Sequence, residues 1–260
     1  MSQFFSLPRF VRLFRKFTAE HLRTYLLAGG VAFGLVALWL SLGVNETAKE
    51  PLGLGTQIGA FLAGLGLGGS LLTSSVFASF GDKRQATAAL MLPASGWEKF
   101  LVGWCYALPV FLLVYVSGFY AVDALILKLN TGTGQVAHLL PLFSTDDKLY
   151  LALLAYAVLS SAFLWGSIFF TKQQFLLTAF GLLVGSVLLQ VLNYKLVQGL
   201  LGRDVDTAMP FSNVTFLEGK QWYSVSLPFV INGWKVMGTA LALMLLVWAA
   251  AYARLKEKEV

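Results

Sequence analysis

Residues 150–193 read YLALLAYAVLSSAFLWGSIFFTKQQFLLTAFGLLVGSVLLQVLN, two long apolar runs that share a single charge, Lys172. A helix rises about 1.5 Å per residue, so each run is long enough to cross a hydrocarbon core about 30 Å thick. Only Thr171, Lys172, Gln173 and Gln174 lie between them, which predicts a tight pair of membrane helices.

The rest of the chain follows the same pattern. Of its 260 residues 57% are hydrophobic and 12% charged, about half the charge of an ordinary soluble domain. Six spans are expected, at about 24–43, 53–75, 100–127, 150–171, 174–193 and 232–253. The predicted class is all-α, a polytopic membrane protein. An even number of spans puts both termini on one side. If that side is the cytoplasm, it holds Arg9, Arg12, Arg15, Lys16, Arg23, Lys83, Arg84, Lys99, Lys172, Arg254, Lys256 and Lys258, twelve of the 19 Lys and Arg residues. The other side holds seven, so charge bias predicts cytoplasmic termini in the inner (plasma) membrane. The net charge of +6 is then a matter of orientation and implies no nucleic-acid partner.

Residues 1–23 form a predicted unit of their own, ahead of a transmembrane domain at 24–260. They have no compact apolar core before a small-residue cleavage site, so the reading is not a removable signal peptide. At helical spacing Leu7, Phe10, Val11, Leu13, Phe14 and Phe17 share one face, and Arg9, Arg12, Arg15, Lys16 and Arg23 the other. This predicts an amphipathic interfacial helix, apolar face in the acyl boundary and basic face on anionic lipid headgroups.

The second span, GLGTQIGAFLAGLGLGGSLLTSS (53–75), carries rows of small residues: Ala60, Gly64 and Gly68, and in parallel Gly66, Ser70 and Ser74. Such rows allow close helix approach, to another span or to a second subunit. They do not make a phosphate loop, which needs its Lys and a preceding strand.

Between spans two and three lies FASFGDKRQATAALMLPASGWEKFL (77–101). Ser95 with Glu98 three residues on is a capping box, so the third span starts there. Pro93 disfavours helix at Leu92. Asp82 with Gln85 repeats the capping spacing, and 83–91 are mostly good helix formers. The connection is thus a short helix, a proline break and a newly capped helix, longer than a turn requires, with charge at its front and Leu90, Met91 and Leu92 behind. It reads as a docking element.

In this arrangement the chain resembles permease subunits of ABC-2-type transporters. The match is carried by the amphipathic FFSLPRFVRLFRKF (4–17) and by ALMLPASGWEKFLVGW (89–104), which is similar to the L-P-x-S-x-x-E-K run of many bacterial permeases of this class. The resemblance implies a cytoplasmic coupling helix at Asp82–Met91 seated in a separate ATP-binding subunit, with Lys83, Arg84 and Gln85 meeting polar groups and Leu90 and Met91 packing. Pro93, Ser95 and Glu98 would form the joint to span three. It further implies a second permease subunit, identical or related, and ATP with Mg bound by the partner rather than by this chain. Residue types alone give a simpler role for Lys83 and Arg84, marking topology, and for Ser95 and Glu98, capping a helix.

No GxxxxGK[ST] or GxSxG run is present, and His21, His138 and the lone Cys105 have no metal or nucleophile spacing; no catalytic, cofactor or metal residue is assigned. Asp123 falls in the outer half of span three, either lining a path or standing at the interface beyond an earlier helix end. Gln190 and Asn193, near the outer end of span five, either face a cavity or hydrogen-bond between helices. The function expected is export of an amphiphilic or hydrophobic substrate. The rivals are an accessory or scaffold subunit, an intramembrane hydrolase or transferase, and a small secondary transporter.

Overall fold

The computed structural model describes residues 5–43, 52–78, 94–130, 139–143, 149–202, 205–208, 214–218, 221–225 and 233–258. Among these residues there are six helices long and apolar enough to cross a membrane: α1 (Leu7–Leu42), α2 (Leu54–Val76), α3 (Gly96–Asn130), α4 (Tyr150–Phe169), α5 (Gln174–Leu201) and α6 (Gly233–Lys258). The protein is a helical, multi-pass membrane protein, with its spans where the apolar runs place them. The short helix expected at Asp82–Met91, with Lys83, Arg84, Gln85, Leu90 and Pro93, lies outside the described residues.

The boundary expected at residue 23 is not a break. α1 is one continuous helix of 36 residues, begun at Ser6 with Pro8 in its first turn, where a missing N–H costs nothing. At about 54 Å it is far longer than a hydrocarbon core is thick.

The connection between α5 and α6 also differs from expectation. α5 continues to Leu201. Beyond it three short strands, β1 (Val205–Ala208), β2 (Val214–Glu218) and β3 (Gln221–Val225), form an antiparallel sheet in the order β1-β2-β3. Thr215 pairs with Ser224 and Glu218 with Gln221, and the β1–β2 register shifts between Val205 and Thr207.

The chain divides into two bodies, residues 1–175 with 242–260, and residues 176–241. The first body has two apolar cores. One gathers Phe61 of α2, Tyr115 and Phe119 of α3, Tyr156 of α4, Val36 and Leu40 of α1, and Leu140 and Leu142. The other gathers Val76 at the end of α2 and Phe77 after it, Phe100 and Tyr106 of α3, Leu164 and Ile168 of α4, and Ala251 and Leu255 of α6. In the second body α5 exposes Phe180, Leu183, Leu188, Leu192 and Leu196.

Two of the small residues of α2, Gly64 and Gly69, serve contacts within the chain. A Cβ at Gly64 would strike the Tyr115 hydroxyl, and one at Gly69 the ring of Tyr156. Ser70 and Ser74 donate their hydroxyls to the Gly66 and Ser70 carbonyls at 2.6 and 2.8 Å, which satisfies them inside their own helix. Gly66 and Gly68 face open space.

Candidate functional site

The start of α3 is built as its sequence predicts. Ser95 is extended (φ −70°, ψ 153°) and caps the helix. The Glu98 amide donates to Ser95 Oγ at 3.3 Å, and the Ser95 amide donates to Glu98 Oε2 at 2.9 Å.

The second carboxylate oxygen does something the local sequence does not announce. Glu98 Oε1 accepts the backbone amide of Ser6 at 2.8 Å, and Arg9 Nη2 lies 3.4 Å from it. Ser6 is the residue from which α1 begins. One side chain thus sits at two helix N-termini, where unpaired amides and the helix dipole both favour negative charge. Glu98 is 0% exposed. A carboxylate so buried is stable only with its oxygens paired, and here two amides and one guanidinium supply the donors.

The contact continues along α1. Phe14 stacks on Tyr106 of α3 at 5.0 Å between ring centroids, Phe17 lies 4.7 Å from the same ring, and Thr18 and Tyr106 join hydroxyls. Thr18 also donates to the Phe14 carbonyl at 2.8 Å. Phe10, Leu13, Phe14 and Phe17 therefore pack against the second core. Part of the face expected to meet acyl chains is thus covered by the protein itself, with these four side chains half-buried. Leu7 and Val11 stay exposed, as do Arg12, Arg15 and Lys16. Lys16 lies 3.6 Å from Glu20.

From the other side Tyr252 of α6 stacks on Trp97 at 4.2 Å. Trp104 of α3 meets Trp248 of α6 edge to face at 5.5 Å. The first three turns of α3 are thus held by α1 and α6 together. His21 stacks on Phe17 at 4.3 Å, with Nδ1 3.1 Å from the Phe17 carbonyl, and so belongs to this aromatic row.

α3 continues seven residues beyond Asp123 to Asn130. The early helix end that one of the two readings supposed is therefore not found. The residue is 0% exposed, beside the main chain of Leu140, and neither carboxylate oxygen has a well-formed hydrogen bond. Phe61 meets Phe119 at 5.1 Å. One turn further along this antiparallel pair lies Gln57 on α2, also fully buried, with Nε2 donating to the Leu52 carbonyl at 3.3 Å. Gln190 is exposed and Asn193 half-buried. Among the described residues no group of three or more His, Cys, Asp or Glu could hold a metal ion.

Sequence reasoning found Ser95 and Glu98 but missed Ser6 as a partner of Glu98, and missed the Thr18–Tyr106 pair. Arg9 it placed on the basic face only. No family model, no curated protein and no solved structure matches this chain.

Proposed function

We propose that this chain is the membrane-spanning permease subunit of an ATP-driven exporter of the ABC-2 type, taking its energy from a separate ATP-binding subunit. The observation that carries the reading is the Glu98 clasp. Residues 79–93 deliver directly into Ser95 and Glu98, and Glu98 ties that point to the start of α1 while Trp97 ties it to α6. Force entering at this connection reaches three helices at once, which is what a coupling joint requires and a plain turn does not.

In this mechanism the segment Asp82–Met91 docks in the ATPase and moves when that subunit closes on ATP and Mg. Pro93 and the capped start of α3 pass the movement on as a rigid rotation, because a buried, three-donor carboxylate does not yield gradually. The exposed apolar side chains of α5, among them Phe180, Leu188 and Leu192, would face lipid and the second permease subunit. The aromatic content, 14% of residues, suits an amphiphilic or hydrophobic cargo. The termini lie in the cytoplasm and the chain in the plasma membrane, following the bias of basic residues.

The test is reconstitution with the candidate ATPase in proteoliposomes. Glu98→Ala should leave ATP hydrolysis measurable while transport falls about tenfold or more. Unchanged transport in the folded variant would remove the clasp from the coupling path, and no transport by the unaltered chain with that ATPase would point to an accessory or scaffold role.

A further inference from the structure

Among the described residues two stretches of the transmembrane helices are wound as π-helix, Gly64–Gly68 in α2 and Tyr106–Val110 in α3. Such segments hold one residue more than an α-helix of the same length and interrupt its ladder of hydrogen bonds. Each is met by a tyrosine hydroxyl from a neighbouring helix. Tyr115 of α3 donates to the Phe61 carbonyl at 2.8 Å, and the Leu65 amide lies within reach of the same hydroxyl. In an unbroken α-helix that amide would itself bond Phe61, so the hydroxyl stands inside the ladder. In α3 the Phe111 amide bonds Leu108 rather than Ala107, and Tyr156 of α4 donates to the Ala107 carbonyl at 2.7 Å. Pro109 contributes no amide at all.

The two segments are linked through Tyr156. Its ring fills the space a side chain at Gly69 would take, at the end of the first segment, while its hydroxyl holds the second. Gly64 and Gly69 are required for these approaches: a Cβ at either would occupy the place of the tyrosine that contacts it.

We propose that Tyr115 and Tyr156 are latches on a coupled pair of hinges. The parts of α2 and α3 flanking residues 79–93 turn as one piece against the remainder of those helices, and Tyr156 makes the two hinges open together. A carbonyl released by its tyrosine can return to an amide of its own helix. Opening therefore keeps the backbone carbonyl paired within the membrane, and the freed tyrosine hydroxyl is the group that must find a new acceptor. The inference rests on the six-helix fold and does not require the ATPase reading.

The test is amide hydrogen exchange on the full chain in lipid nanodiscs. In the unaltered protein, amides 64–69 and 107–112 should exchange in one kinetic class, at least about tenfold faster than those of 71–76 and 115–122. Tyr156→Phe keeps the ring and should accelerate both segments about five- to tenfold, the effect of one neutral hydrogen bond. Tyr115→Phe should accelerate 64–69, and Tyr120→Phe, whose hydroxyl serves Leu140, neither. Exchange as slow as in the flanking turns in the unaltered protein would overturn the proposal even if a variant failed to fold. So would a Tyr156→Phe effect confined to 107–112.

Discussion

Glu98 accepts the amide of Ser6 at 2.8 Å across 92 residues of sequence, and this bond makes the amphipathic start of α1 part of the α3 joint. Its strength can be measured. Glu98→Gln retains an acceptor but loses the charge facing Arg9, and Glu98→Ala removes the cap as well. We expect losses of about 1–2 and about 3 kcal/mol in unfolding free energy, read as thermal or denaturant unfolding in detergent micelles. Because Arg9 is 31% exposed, Arg9→Ala should cost less, under about 1 kcal/mol.

Tyr106 is the second point of attachment. Tyr106→Phe deletes only the hydroxyl shared with Thr18 and should cost about 1 kcal/mol. Tyr106→Ala also removes the ring on which Phe14 and Phe17 rest and should cost about 3–5 kcal/mol. Limited proteolysis of residues 5–25 in the Ala variant, compared with the Phe variant, will show whether α1 has come free.

The joint and the membrane helices were unequally legible in the sequence. Six spans could be read because length and polarity fix a membrane crossing almost without reference to tertiary structure. The capping box could be read because both its partners lie within three residues. The Ser6 and Arg9 contacts to Glu98 could not, since nothing local distinguishes an arginine that meets lipid from one that meets a distant carboxylate. The stripe of Phe10, Phe14 and Phe17 announced burial without naming the covering surface. The π segments were hidden for a related reason. α2 and α3 are apolar on most sides, so an extra residue leaves no break in periodicity, and Tyr115 and Tyr156 look like the tyrosines common at membrane interfaces. The strands 205–225 are four and five residues long and lie in a polar stretch where hydropathy gives no direction.

Glycines separate close packing from mere smallness. A Cβ at Gly103 would enter the space of Phe77 and Val76, both nearly fully buried. Gly103→Ala should therefore destabilise by about 1–3 kcal/mol. Nothing lies within 4 Å of a Cβ at Gly30 in α1, so Gly30→Ala should be neutral or stabilise by up to about 0.8 kcal/mol through helix propensity. Paired melting curves decide the matter, and equal effects would contradict the packing described for α3.

The central claim is that an ATP-binding partner drives this chain through residues 79–93. It is tested most directly by purifying the full chain from its native membrane in mild detergent. A P-loop ATPase should accompany it in near-equal amount, hydrolyse ATP with Mg, and be lost when Lys83→Glu, Arg84→Glu and Ala88→Pro are combined while the spans stay folded. Retention of that ATPase by the triple variant, or full transport by the chain purified alone, would contradict the account.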